Sequence, residues 1–112
     1  MNKITKDKLD YVLEQIKKTT DPKKIYLFGS YAVGKESSES DFDICIISDK
    51  KKRKIDLLRE IRFATINKVD IPIDLIIFRD EEFFKRAKIQ NSFEQEIFKN
   101  GVLLYDAEAR IS

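Results

Sequence analysis

The sequence predicts a small α/β fold, and three observations lead there. Two stretches, about 5–18 and 49–68, carry apolar residues at helical spacing; short runs of strand formers at 25–28, 41–47 and 73–78 lie among them; and no repeat or flexible linker divides the 112 residues. Hydrophobic residues at 42% and charged residues at 38% describe a folded chain with a densely charged surface rather than a disordered one. That length supports one core of modest size, so a single domain over 1–112 is expected, and any large co-substrate must come to it.

The elements follow in order. Leu9, Val12, Leu13 and Ile16 make one apolar face of a first helix, which Pro22 ends. Ile25 to Phe28 is a short strand bounded by Pro22 and Gly29. A polar, aperiodic loop at 35–40 leads to the second strand, Asp41 to Ile47, where a period of two sets Asp41, Asp43, Cys45 and Ile47 on one face and Phe42, Ile44 and Ile46 on the other. Ile55, Leu57, Leu58, Ile61, Ala64 and Thr65 mark a second helix starting near Asp49, with the basic run Lys50 to Lys54 read as its solvated start or, less favoured, as a phosphate or partner patch. Ile73 to Phe78 is the third strand, with Asp74, Ile76 and Phe78 facing one way. Asp80 is expected to cap a helix carrying Phe83, Phe84 and Ala87. Ser92 and Gln95 match a capping box for a last helix to about Lys99, and Gly101 closes it before a strand at Val102 to Tyr105.

Composition removes several chemistries. With 22 basic against 20 acidic residues, there is little counterion-release drive, so nucleic acid is not expected as a direct partner. The lone Cys45 excludes an internal disulfide and a cysteine-based zinc site, and the lack of histidine removes the usual general base, leaving carboxylates. No apolar run is long enough for a membrane span and no signal h-region opens the chain, so a cytoplasmic location without membrane attachment is expected.

Two of the three glycines, Gly29 and Gly34, fall within Phe28 to Ser38. A glycine turn after a strand lets backbone N–H groups approach an anion, and a helix opening there would add more. Ten residues on stand Asp41 and Asp43, with Cα atoms roughly 6.5 to 7 Å apart on one face of a strand. A divalent cation such as Mg²⁺ relieves their repulsion and brings phosphate oxygens with it. Asp74 interrupts an apolar strand, where an unpaired carboxylate is costly, so a cation or strong donors should lie beside it. If its strand lies next to the second, three carboxylates converge, enough for two metals about 3.5 to 4 Å apart. Each piece has a plainer reading: Asp-x-Asp as a strand start in a chain of eleven aspartates, Gly-Ser as a turn, Asp74 as an ion pair with Lys68 or Arg79, and Cys45 as a buried small residue. In this order the pieces point together to a metal-dependent nucleoside triphosphate site.

Leu27-Phe28-Gly29-Ser30, Asp41-Phe42-Asp43 and Asp74 resemble the signature of the DNA polymerase β-like nucleotidyltransferase superfamily, and the short chain resembles its minimal nucleotidyltransferase branch. The resemblance runs from about Leu9 to Asp106. It implies an α/β fold, a single small nucleotidyltransferase domain whose mixed β-sheet has helices packed on it. It implies that Asp41 and Asp43 ligate two magnesium ions, that Asp74 joins them at the catalytic metal and helps deprotonate the attacking hydroxyl, and that Gly29 and Ser30 contact the triphosphate of ATP. Members of the family often place arginines between the serine and the second glycine, whereas this chain has Tyr31-Ala32-Val33, leaving Lys35 or a partner to supply the cation. The aminoglycoside nucleotidyltransferases continue into a helical acceptor region with no counterpart in these 112 residues, so a protein acceptor is expected. The chain resembles instead the antitoxin half of minimal nucleotidyltransferase–HEPN toxin–antitoxin pairs, which implies transfer of AMP to a tyrosine of a HEPN-type helical partner encoded nearby. The alternatives are an antitoxin that neutralises by occlusion without catalysis, and transfer to a small-molecule acceptor. A homo-oligomer stays open.

Overall fold

The computed structural model describes residues 1–110, so the last two positions of the expected 1–112 domain lie outside the described residues. Four helices and four strands follow in the order α1 (Lys3–Thr20), β1 (Lys24–Phe28), β2 (Phe42–Ile47), α2 (Lys54–Thr65), β3 (Ile73–Phe78), α3 (Asp80–Ala87), α4 (Phe93–Asn100) and β4 (Val102–Asp106). The sheet order is β3-β2-β1-β4. β1 runs antiparallel to both β2 and β4, while β2 and β3 are parallel, so the sheet is mixed. Parallel neighbours need a crossover, and α2 supplies it.

Alternation decides what each face buries. Phe42, Ile44 and Ile46 of β2, with Ile25 and Leu27 of β1, pack against Leu9, Val12, Leu13 and Ile16 of α1 and Leu57 and Ile61 of α2. Cys45, Ile47, Tyr26 and Phe78 face the other way and meet Phe83 of α3 and Ile97 of α4. β2 is therefore covered on both sides, which is why it reads as a nearly unbroken apolar run. Asn2 caps α1 through its side-chain oxygen on the Thr5 N–H at 2.8 Å. Ser92 caps α4 through the Gln95 N–H at 3.0 Å, while Gln95 reaches back to the Asn91 N–H at 2.9 Å. Gly101 ends α4 for lack of room: a Cβ there would meet the Ile97 and Leu27 carbonyls.

Three local expectations are corrected. The second helix begins at Lys54, because Arg79 takes the carbonyls of Ser48, Lys50 and Lys52 and holds 48–52 as a loop. The basic run is therefore mostly loop, with Lys52 on Glu60 and Lys54 on Glu82. Asp80 does not cap α3: Arg79 holds the cap position, its N–H bonded to Glu82, and Asp80 is the first helical residue, with its own N–H on Asp49. No helix opens after Gly29; residues 30–34 are turns. Among the described residues no helix is long and apolar enough to cross a membrane.

Candidate active site

The bend after β1 is built around two left-handed glycines, Gly29 at φ +73° and Gly34 at φ +72°. Gly29 cannot be replaced freely, because a Cβ there would run into the Asp43 carboxylate. Phe28 pairs with Asp43 across the β1–β2 ladder, so the register sets this carboxylate directly against the bend. The turn is closed by Ala32 N–H on the Gly29 carbonyl at 3.1 Å and Lys35 N–H on the Ser30 carbonyl at 2.9 Å. Among the described residues no protein acceptor takes the N–H groups of Ser30, Tyr31, Val33 or Gly34. Amides left over in a turn are the donors an anion uses.

The parallel β2–β3 ladder places Asp43 opposite Asp74, and Asp41 stands one residue before β2 begins. Asp43 is half-buried, whereas Asp41 and Asp74 are exposed. Exposure of Asp74 corrects the desolvation reading: it sits second in its strand at the rim of the sheet, where water reaches it. It pairs with neither Lys68 nor Arg79. Among the described residues no hydrogen bond or ion pair from a protein donor reaches Asp41, Asp43 or Asp74. Acids elsewhere commonly do have cations, as Asp49 and Asp80 do with Lys23, Asp56 with Arg53 and Asp70 with Lys8. Burial first, then the charges of Asp74 and Asp41, pushes the Asp43 carboxyl above the usual carboxylate range. Three hard oxygen donors that repel one another suit a divalent cation. In their present side-chain positions no three His, Cys, Asp or Glu residues among those described close into a ready metal cage.

Tyr31 and Val33, standing where arginines often stand in the resembled family, do different work. Tyr31 packs on the core with its ring 5.0 Å from that of Phe42. Val33 is exposed and lines an apolar recess of about 330 Å³ between the bend and α4, with Phe28, Gly29, Phe93 and Ile97 among its walls. The sequence reading missed this recess. Its signal was Val33 in the glycine turn together with Phe93 and Ile97 at i, i+4 on the last helix. Cys45 is fully buried, and burial with the nearby Glu94 carboxylate pushes its thiol up to about 12, so it packs rather than reacts.

Residues 11–110 match the family model described as polymerase beta, nucleotidyltransferase. The chain belongs to that nucleotidyltransferase family, and its enzyme class is nucleotidyl transfer. A Methanocaldococcus jannaschii protein, provisionally named a protein adenylyltransferase, is 37% identical over 83 residues, 74% of this chain and 78% of that protein. A provisionally named nucleotidyltransferase from Sulfolobus solfataricus superposes with TM-score 0.57 at 18% identity, covering 91% of this chain and 80% of the other. A toxin–antitoxin solved with AMP-PNP superposes at 0.55 and 23% identity, covering 88% and 74%. At such identities these two structures speak for the fold.

Proposed function

We propose that this chain transfers AMP from ATP to a hydroxyl, a tyrosine, of a HEPN-type helical toxin encoded nearby, and thereby acts as its antitoxin. The observation that carries the reading is the trio Asp41, Asp43 and Asp74, gathered at one end of the sheet against the Gly29 bend with no cation among the described residues paired to them. The relative named for protein adenylylation and the fold neighbour described as a toxin–antitoxin support the acceptor class. The Asp41, Asp43 and Asp74 carboxylates would hold two magnesium ions, which supply charge neutralisation to a bound triphosphate. The free amides of the bend and the Ser30 hydroxyl hold the outer phosphates. The acceptor oxygen attacks the α-phosphorus as the bond from that phosphorus to the bridging oxygen breaks. Pyrophosphate leaves, and the hydroxyl proton passes toward Asp74. Lys35, exposed and without an acid partner among the described residues, is the cation of the bend itself that can reach the phosphates.

Tyr31 and Val33 in place of arginines favour one other reading, neutralisation of the partner by occlusion with the pocket inert. Incubating the chain with MgATP and the partner and weighing the partner by mass spectrometry separates the two. Addition of AMP that disappears with Asp43→Asn supports transfer. An unmodified partner that is nevertheless inhibited supports occlusion.

A further inference from the structure

We propose that the outward face of α2 is the surface that holds a partner protein, and that the partner meets it with an apolar centre ringed by carboxylates; this rests on the reading of the chain as one half of a protein pair. Arg59, Arg62, Phe63 and Ile66 follow one another at the i, i+3, i+4, i+7 spacing of a single helical stripe, away from the buried Leu57, Ile61 and Thr65. Phe63 is 89% exposed and Ile66, the residue that caps the helix, 71%, while Leu57 and Ile61 on its other side are fully buried. Beside Ile66 a recess of about 270 Å³ opens, walled by Arg62, Ile71, Pro72 and Leu75. An exposed aromatic flanked by arginines and next to a pocket has the composition of an interface centre.

Charge decides the occupant. Arg62 has no acid partner among the described residues, and Arg59 stands 4.0 Å from Asp56, which already bonds Arg53 at 2.9 Å. On α2 and the turn after it, Glu60 is held by Lys52 and Asp70 by Lys8. The stripe therefore offers unanswered positive charge around an apolar centre. A second copy packed face to face would set Arg59 and Arg62 against the same arginines of its own stripe, so a different chain is the occupant. The C-terminal end of α2 leads into the start of β3, where Asp74 stands, so a partner seated here lies at the end of the sheet where the aspartates gather.

The test is the dissociation constant, by titration calorimetry, of the purified helical protein encoded beside this chain, using wild type, Phe63→Ser, Arg62→Glu and Asp43→Asn. The expected result is at least tenfold weaker binding for Phe63→Ser and for Arg62→Glu at unchanged melting temperature, with Asp43→Asn binding like wild type. Affinity unmoved by Phe63→Ser overturns the docking face, even where AMP transfer is intact. Weakened binding without any AMP transfer upholds the face and sinks the transfer reading alone. A wild-type chain that does not bind this protein overturns both. A wild-type chain that sediments as a dimer, separated by Phe63→Ser, overturns the proposal in favour of a second copy.

Discussion

The two faces of the sheet are built differently. On one, α1 and α2 close an aliphatic layer in which Val12, Ile16, Ile25, Ile44, Ile46, Leu57 and Ile61 lose all contact with water. On the other, α3 and α4 contribute mostly aromatic rings, Phe83 stacked on Tyr26, tilted against Phe78 and edge-on to Phe84, and Phe28 edge-on to Phe93. That second layer stops short of the strand ends that bear Asp43 and Asp74. The sealed face fixes the positions of the strands, and the unsealed end of the other face leaves carboxylates and bend amides open to a ligand. Both sides of β2 are thus packed along most of its length, and only the end of the α3/α4 side, at Asp43, is left open.

Substitutions can break this division. Asp43→Asn should lower AMP transfer by at least about 10²-fold, as expected for removal of a group that acts on transition-state charge, without lowering the melting temperature of the ligand-free chain. Loss of activity together with loss of fold would make Asp43 a structural residue. On the sealed face, Leu57→Ala should cost about 2–5 kcal/mol of stability, in the range of a buried leucine truncation, with transfer per folded molecule retained; denaturant titration and initial rates check the two halves separately. Gly29→Ala sits between these cases. The left-handed φ costs about 1–2 kcal/mol, and the new methyl displaces the Asp43 carboxylate, so transfer should fall further than stability.

The smallest effect is in the pH dependence of the ligand-free chain. The Asp43 carboxyl is raised in the folded state, first by burial and then by Asp74 and Asp41. Its contribution to stability is fully present below the unfolded aspartate value and is lost as pH rises through the raised folded value. Asp43→Asn should therefore raise the melting temperature at neutral pH, and the gain should shrink as pH falls into the ordinary aspartate range. A gain that is flat with pH would mean that relief of charge is not its cause.

Much of the scaffold was legible in the residues. The third strand, 73–78, coincides with β3, and the face alternation of β2 and β3 is as periodicity requires, because both strands are buried by local apolar patterning. What failed depended on distant contacts or on position at a rim. Arg79 holds the loop at 48–52 from another part of the chain, so helical periodicity extended α2 too early. The missing helix after Gly29 is a local matter instead, since residues 30–34 form turns between two left-handed glycines. Asp74 lies second in a strand whose polar neighbours along the rim are set by the register with β2, which an apolar sequence context misread as burial. The juxtaposition of Asp43 with Asp74 was conditional on strand neighbours, and the parallel pairing of β2 with β3 supplies it.

The central claim is that residues 41, 43 and 74 share divalent ions beneath a triphosphate held at the Gly29 bend. Titrating Mn²⁺ into the chain with a non-hydrolysable ATP analogue, and following free Mn²⁺ by electron paramagnetic resonance, tests it directly. The account expects wild type to bind Mn²⁺ with the analogue at least tenfold more tightly than Asp41→Asn, Asp43→Asn or Asp74→Asn. Wild-type affinity in Asp74→Asn would contradict it.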